Sequence, residues 1–248
     1  MWRGRTLTVV LPTYNERDSI AECIRRFESI AEVDEVLVVN NNAAAGTTQE
    51  VGRTGAREVH EPRQGYGAAI RRGLLESAAD LVAVCEPDGT FDPDDLRKLL
   101  AFMPECDLVV GSRTVATFIW DGANMGWFLR WGNWVVAKLV EVLYNTTSLS
   151  DVGCTFRVMT RERANDLMRH SSLDGSAYGL EMILVAAVLR ARMVQVPVNY
   201  RPRVGESSVT GHLGRTLRLG LEMVGLVLRV RARAGAIRRQ ARRRSPVP

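Results

Sequence analysis

Through residue 110 the chain alternates short apolar runs with segments of helical spacing, an order that few folds accommodate. Residues 6–11, 35–39, 58–60, 80–85 and 107–110 read as strands rich in valine and leucine. Between them, Ile20, Cys23, Ile24 and Phe27 mark a helix, a short helix follows the polar turn at 40–48, and residues 68–78 and 94–102 are helical. Strands without strict polar alternation suit a sheet covered on both faces. The expectation is an α/β domain that binds its ligand beyond the strand C-termini. No GxGxxG follows the first strand and no GxxxxGK[ST] occurs, which argues against a dinucleotide fold of the usual kind and a P-loop ATPase.

The second half is less regular. Trp120, Trp127, Phe128, Trp131 and Trp134 crowd a segment running to Tyr144. Residues 151–160 read as a strand or strand-turn, 180–189 as a helix, 194–200 as a strand and 213–233 as a final helix. At 248 residues the chain fits one domain with a sizeable core. Three histidines leave no room for a histidine-rich metal site. Cys23, Cys85, Cys106 and Cys154 lack close metal-ligand spacing and read as reduced thiols of a cytosolic protein. The net charge of +5 belongs to the tail: residues 229–248 carry eight arginines and no acid, leaving 25 basic against 28 acidic residues elsewhere. The apolar run at 7–11 stops at Pro12, too short for a signal peptide, and no segment reaches the roughly 18 apolar residues that span a bilayer.

Two strand ends carry the chemistry. Val9-Val10-Leu11-Pro12-Thr13-Tyr14-Asn15-Glu16 places polar groups where a strand opens into a helix, and Glu86-Pro87-Asp88-Gly89 places two carboxylates one residue apart. Together they suggest a site for a nucleotide diphosphate and a divalent metal. As structural alternatives, Glu16 favours a helix dipole and residues 40–42 form an Asx-rich turn.

Several ordered motifs carry a family resemblance over roughly residues 6–212: Leu11 to Glu16; Gly46-Thr47; Gly65-Tyr66-Gly67; Glu86-Pro87-Asp88; Gly111-Ser112-Arg113; Asp151-Val152-Gly153-Cys154; and Pro197 onward to Ser208. The chain resembles family 2 inverting glycosyltransferases, most of all dolichyl- or polyprenyl-phosphate mannosyl- and glucosyltransferases. The resemblance implies a GT-A fold: one α/β domain with a mixed, mostly parallel central sheet over residues 1–212. A C-terminal amphipathic, membrane-interfacial helix (213–234) and a basic, disordered tail (235–248) are expected to follow. It also implies a nucleotide-diphospho-sugar donor, GDP-mannose or a UDP-hexose, with Mg2+ or Mn2+, and a polyprenyl phosphate acceptor.

By the same resemblance, Pro12, Thr13 and Tyr14 form the nucleotide loop, and Glu16 holds the base or ribose. Asn40 and Asn41 stand where the family places nucleotide-contacting acids, and they depart from it, as do Ala43 to Ala45. Gly67 and Arg71 belong to a donor-side loop, where Arg63 meets phosphate. Glu86, Pro87 and Asp88 form the metal motif, with Glu86 and Asp88 as ligands and Thr90 near them; Asp92 reads instead as a helix cap. Arg113, Arg130, Arg201 and Arg203 are candidates for phosphates. Asp151 is the general base if the acceptor is a hydroxyl; with an anionic phosphate it orients the acceptor or an arginine, as Glu181 does. The alternatives are transfer to a hydroxyl acceptor and a degenerate, non-catalytic partner protein, the latter motivated by the asparagine–alanine loop.

A lipid acceptor requires bilayer access. Trp120, Trp127, Phe128, Trp131, Trp134, Val135, Leu139, Val142 and Leu143 can form an amphipathic surface. So can Leu217, Leu221, Val224, Leu228 and Val230, beside Arg215, Arg218, Arg229, Arg231 and Arg233. The expected location is the cytoplasmic face of a membrane, peripherally bound; the alternative is that the same stripes pack against the domain or a partner subunit, as in a homo-oligomer. No recognition fold for nucleic acid accompanies the basic tail.

Overall fold

The computed structural model describes residues 1–123, 127–204 and 213–243, with side chains from 130 and 219 onward in the last two segments. Strands β1 (Leu7–Thr13), β2 (Glu35–Asn40), β3 (Arg57–His60), β4 (Leu81–Val84), β5 (Leu108–Ser112), β6 (Arg157–Thr160) and β7 (Met193–Pro197) form one sheet in the order β3-β2-β1-β4-β6-β5-β7. All neighbours are parallel except β6, which runs antiparallel to β4 and β5. Every residue of β1 and β4 is buried, as the unbroken apolar runs require of central strands.

Eight α-helices cover the sheet among the described residues: α1 (Arg17–Glu28), α2 (Thr47–Val51), α3 (Tyr66–Glu76), α4 (Leu96–Leu100), α5 (Trp127–Tyr144), α6 (Arg161–His170), α7 (Tyr178–Val188) and α8 (Leu213–Arg242). α1 buries Ile20, Cys23, Ile24 and Phe27, the stripe visible in the sequence. Asp92 caps the 3-10 turn Pro93–Asp95 that opens α4, its side chain accepting from Asp94 N.

Parallel pairing sets the functional end. Thr13 lies opposite Asn40, Val10 lies opposite Val84, and Cys85 N donates to Val10 O at 3.1 Å. The loops after β1, β2 and β4 therefore open side by side, where the chain winds away in both directions from β1.

Three elements differ from the sequence expectation. Only Arg157–Thr160 of the expected strand at 151–160 joins the sheet, because Asp151 turns its carboxylate back onto Gly153 N at 2.9 Å. α6 was not anticipated; Thr160 caps it by accepting from Arg163 N, and Ala164 and Leu167 fill its buried side.

α8 continues to Arg242 because Val227, Val230, Ala234 and Ile237 extend one buried face, and Arg238 Nε donates to Val188 O at 3.0 Å. Most of the expected basic tail is thus helix, and residues 244–248 lie outside the described residues. Val230, expected at a membrane surface, is core, and Tyr144 O–H donates to Val227 O at 2.7 Å beside it.

α3 approaches the sheet so closely that a Cβ on Gly73 would overlap Val10 Cγ1 and stand 3.2 Å from Val39 Cγ2. Gly73→Ala is expected to destabilise the protein by about 1–3 kcal/mol through overpacking, read as a lower denaturant midpoint at unchanged slope.

Candidate active site

The segment after β4 turns Asp88 inward. Asp88 is buried; its Oδ1 accepts Thr90 N at 3.0 Å and the Thr90 hydroxyl at 2.6 Å, and its Oδ2 faces Arg203 Nη1 at 3.2 Å. The Ser19 hydroxyl donates to Pro87 O at 2.6 Å, tying the motif to α1. Val204 N donates to Asp88 O at 2.9 Å and Arg201 N to Thr90 O at 2.8 Å, drawing the 201–204 segment across the motif.

Glu86 is half-buried beside these groups. Burial and the Asp88 charge push its carboxyl up to about 8, against the opposing pull of Arg203 and Arg113. An acid whose folded value lies above its ordinary 4.5 binds a proton on folding, so its contribution to stability falls as pH rises from about 4.5 to about 8.

Glu16 braces the loop after β1. Its Oε2 accepts Thr13 Oγ1 at 3.2 Å, Tyr14 N at 2.7 Å and Asn15 N at 2.9 Å. Its Oε1 accepts Arg203 Nη2 at 2.9 Å. Pro12 and Thr13 are buried in β1, while Tyr14, the next residue, is exposed.

On the other side, Arg113 follows β5 and grips Asp151 with Nε to Oδ2 at 2.8 Å and Nη2 to Oδ1 at 3.0 Å. Arg113 N at 3.0 Å and Gly153 N at 2.9 Å complete four bonds to that fully buried carboxylate. Burial alone would raise the Asp151 pKa; the Arg113 charge and these donors outweigh it and hold the carboxyl below its ordinary value. The Arg113 guanidinium also lies over the Tyr200 ring, 5.3 Å from its centroid.

Residues 8–167 match the family described as Glycosyl transferase family 2. The chain belongs to that family. It is 35% identical over 212 residues to a glycosyltransferase of Mycobacterium tuberculosis, covering 85% of this chain and 92% of that one. It is 28% identical over 253 residues to the undecaprenyl-phosphate mannosyltransferase of Micrococcus luteus, covering 93% and 99%. The M. tuberculosis glucosyl-3-phosphoglycerate synthase, solved with Mn2+, UDP-glucose and phosphoglyceric acid, superposes with a TM-score of 0.71 at 19% identity, covering 92% of this chain and 80% of that one. The fold is GT-A, and the protein is a glycosyltransferase of family 2.

Of the residues that the family resemblance singled out, Glu16, Glu86, Asp88, Arg113 and Arg203 share one site. Glu16 is an internal brace rather than a group turned toward the mouth. Asn40 and Asn41 are also built into the scaffold. Asn41 is buried; its amide donates to Glu61 O and Arg63 O, each at 2.8 Å, and its oxygen accepts Gly65 N at 2.8 Å and Gln64 Nε2 at 3.2 Å. Asn40 donates to Glu58 Oε1 at 2.8 Å and Thr48 Oγ1 at 3.2 Å, and accepts Ala43 N at 2.8 Å.

The glycines of the 65–67 loop serve a close approach to the protein's own chain. A Cβ on Gly67 would stand 2.6 Å from Leu173 O and 2.7 Å from Tyr178 Cβ, and Gly67 N already donates to Asp174 O at 2.7 Å. Arg71 Nη1 donates to Ser171 O at 2.8 Å, and Arg63 pairs with Asp174 at 3.4 Å. Glu181 accepts Ser172 N at 3.0 Å and Leu173 N at 2.9 Å, holding the same loop. Arg201 pairs with Asp92 and lies over Trp120, 4.7 Å from the ring centroid. Arg130 sits in α5, with no described contact to Arg113 or Arg203. Residues 205–208 of the last motif lie outside the described residues.

Sequence reasoning missed Gln195. Its side chain accepts Ser150 N at 2.6 Å and Asp151 N at 3.2 Å and donates to Asp151 O, fixing the backbone that presents the Asp151 carboxylate. Its one signal was a polar residue inside an apolar strand.

The donor set fits a hard divalent cation. Glu86 and Asp88 offer carboxylate oxygens, and Arg203 already places positive charge on Asp88 Oδ2. Among the described residues no group of three or more His, Cys, Asp or Glu is arranged to hold a metal ion by itself. A two-carboxylate set suits Mg2+ or Mn2+, which fills remaining positions with water and substrate phosphate.

Asn41→Asp is expected to cost about 2 kcal/mol or more in chemical denaturation, because a carboxylate would face two carbonyl oxygens in place of an amide donor. Asp151→Asn is expected to cost about 3–5 kcal/mol by the same measurement, since it leaves the buried Arg113 charge uncompensated; an unchanged midpoint would show the pair to be dispensable.

Proposed function

We propose that this glycosyltransferase moves a hexose, mannose or glucose, from a nucleotide-diphospho-sugar to a polyprenyl phosphate with inversion at the anomeric carbon. The observation that carries the reading is the division of charge in the site. Arg113 and Arg203 flank Glu86 and keep 14% and 26% of their side chains exposed, leaving guanidinium surface for phosphate oxygens. Asp151, the candidate base, has both oxygens occupied and a lowered pKa. A hydroxyl acceptor would need a free base; a phosphate acceptor is already anionic. Similarity to the undecaprenyl-phosphate mannosyltransferase of M. luteus supports the same acceptor class.

Glu86 and Asp88 would hold Mg2+ or Mn2+, which when bound supplies Lewis-acid stabilisation of the departing nucleoside diphosphate. The chain's own residues do the rest. Thr90 fixes the Asp88 carboxylate, and Asp151 fixes Arg113. Arg113 and Arg203 orient phosphate and offset negative charge that grows on the leaving diphosphate. The acceptor phosphate oxygen attacks the anomeric carbon on the face opposite the leaving group in a single displacement.

Bilayer access comes from helix faces. No helix among the described residues is long and apolar enough to cross a membrane. Trp131, Trp134, Val135 and Val142 are exposed along one side of α5, and Leu221 and Leu228 are exposed two turns apart on α8. Arg229, Arg231, Arg233, Arg239 and Arg242 are exposed on α8, each worth up to about 1 kcal/mol against an anionic surface. Together they fit peripheral binding at the cytoplasmic leaflet.

Purified protein incubated with Mn2+ and radiolabelled GDP-mannose or UDP-glucose is expected to label undecaprenyl phosphate in anionic vesicles, and not the dephosphorylated prenol. Equal labelling of the prenol would overturn the phosphate-acceptor reading. Failure with both donors and both lipids would overturn the hexosyl donor assignment.

A further inference from the structure

The carboxylate best placed to bind a cation is already bound to one. Asp88 Oδ1 is saturated by two donors from Thr90, at 3.0 and 2.6 Å. Only Oδ2 is left for another partner, and Arg203 Nη1 faces it at 3.2 Å. The same guanidinium reaches Glu16 Oε1 at 2.9 Å through Nη2. Glu16 is anchored independently, since its other oxygen takes three donors from residues 13–15. The backbone is pinned as well: Val204 N binds Asp88 O and Arg201 N binds Thr90 O. Arg203 is thus held within reach of Asp88 while a quarter of its side chain stays exposed, at 26%.

We infer that Arg203 is a positioning residue that occupies Asp88 in the metal-free protein and, pivoting on Glu16, is freed for phosphate only when a divalent cation takes Asp88. The inference rests on the reading of Glu86 and Asp88 as the metal ligands. Its physical basis is competition: a guanidinium and a divalent ion at one carboxylate oxygen repel each other, and only one can be in contact. A phosphate nearby resolves the conflict, because Arg203 then exchanges one carboxylate contact for a charge-assisted, bidentate one. Metal and nucleotide diphosphate should therefore bind with positive coupling, each removing the other's penalty. The arrangement also keeps the buried Asp88 charge compensated while no metal is present.

The test is Mn2+ titration by electron paramagnetic resonance, without any nucleotide, on the wild-type protein, Arg203→Ala and Arg203→Lys. Arg203→Ala is expected to bind free Mn2+ about tenfold more tightly than wild type, because its competitor is gone. Arg203→Lys, which keeps a cation of shorter reach, should fall between them. UDP or GDP should tighten Mn2+ binding markedly in wild type and much less in Arg203→Ala. A merely structural role predicts unchanged or weaker Mn2+ binding in the variants, and that result, at wild-type thermal stability, would overturn the inference. Mn2+ binding absent from every protein, with or without nucleotide, would overturn the metal reading and this inference with it. Mn2+ bound by wild type only with nucleotide, and by Arg203→Ala without it, would confirm both.

Discussion

The parallel pairing of β1 with β4 is the constraint on which the site depends. It brings the loop carrying Glu16 beside the loop carrying Glu86 and Asp88, some seventy residues later in the chain. Three carboxylates at one end of a buried sheet would repel one another and resist burial. The fold answers with cations from its far side. Arg203 arrives after the last strand and bridges Glu16 to Asp88, and Arg113 leaves β5 to stand by Glu86. Where that compensation falls short, at Glu86, burial and the Asp88 charge raise the carboxyl's pKa.

The same logic separates groups that hold from groups that act. Thr90, Ser19, Gln195 and Asp151 spend their hydrogen bonds inside the protein, and each fixes a neighbour that faces the site. Asp151 shows the point best. In sequence it is an acid in the position of a base; in the structure it accepts four hydrogen bonds and serves Arg113. A carboxylate so satisfied gains little from taking a proton, which supports the proposed acceptor class, one that is already charged.

The asparagine loop carries a second lesson. Asparagines at positions where the family resemblance implies acids read from sequence as altered donor preference, weaker donor binding or lost activity. Asn41 instead uses both amide protons and both lone pairs to join the end of β2 to the loop at 61–65. A carboxylate cannot donate, so an aspartate could not make the same joint. In this structure that position is therefore part of the loop's own framework.

Local signals sufficed for most of the fold. Valine-rich runs marked the strands through residue 110, helical spacing placed α1, α3 and α7, and ordered motifs singled out the Glu86–Asp88 pair that is proposed to hold the metal. These are legible because burial on both faces and helix amphipathicity act over a few residues. What each polar side chain does was decided only by tertiary structure. Glu16, Asn41, Gly67, Arg71 and Asp151 all sit in motifs, yet their partners come from residues distant in sequence or from backbone groups that no motif displays. The length of α8 was settled the same way, by α7 offering Val188 O to Arg238 and a buried seat to Ile237. Sequence carries the pattern of burial; hydrogen-bond satisfaction depends on which strangers the fold brings within 3 Å.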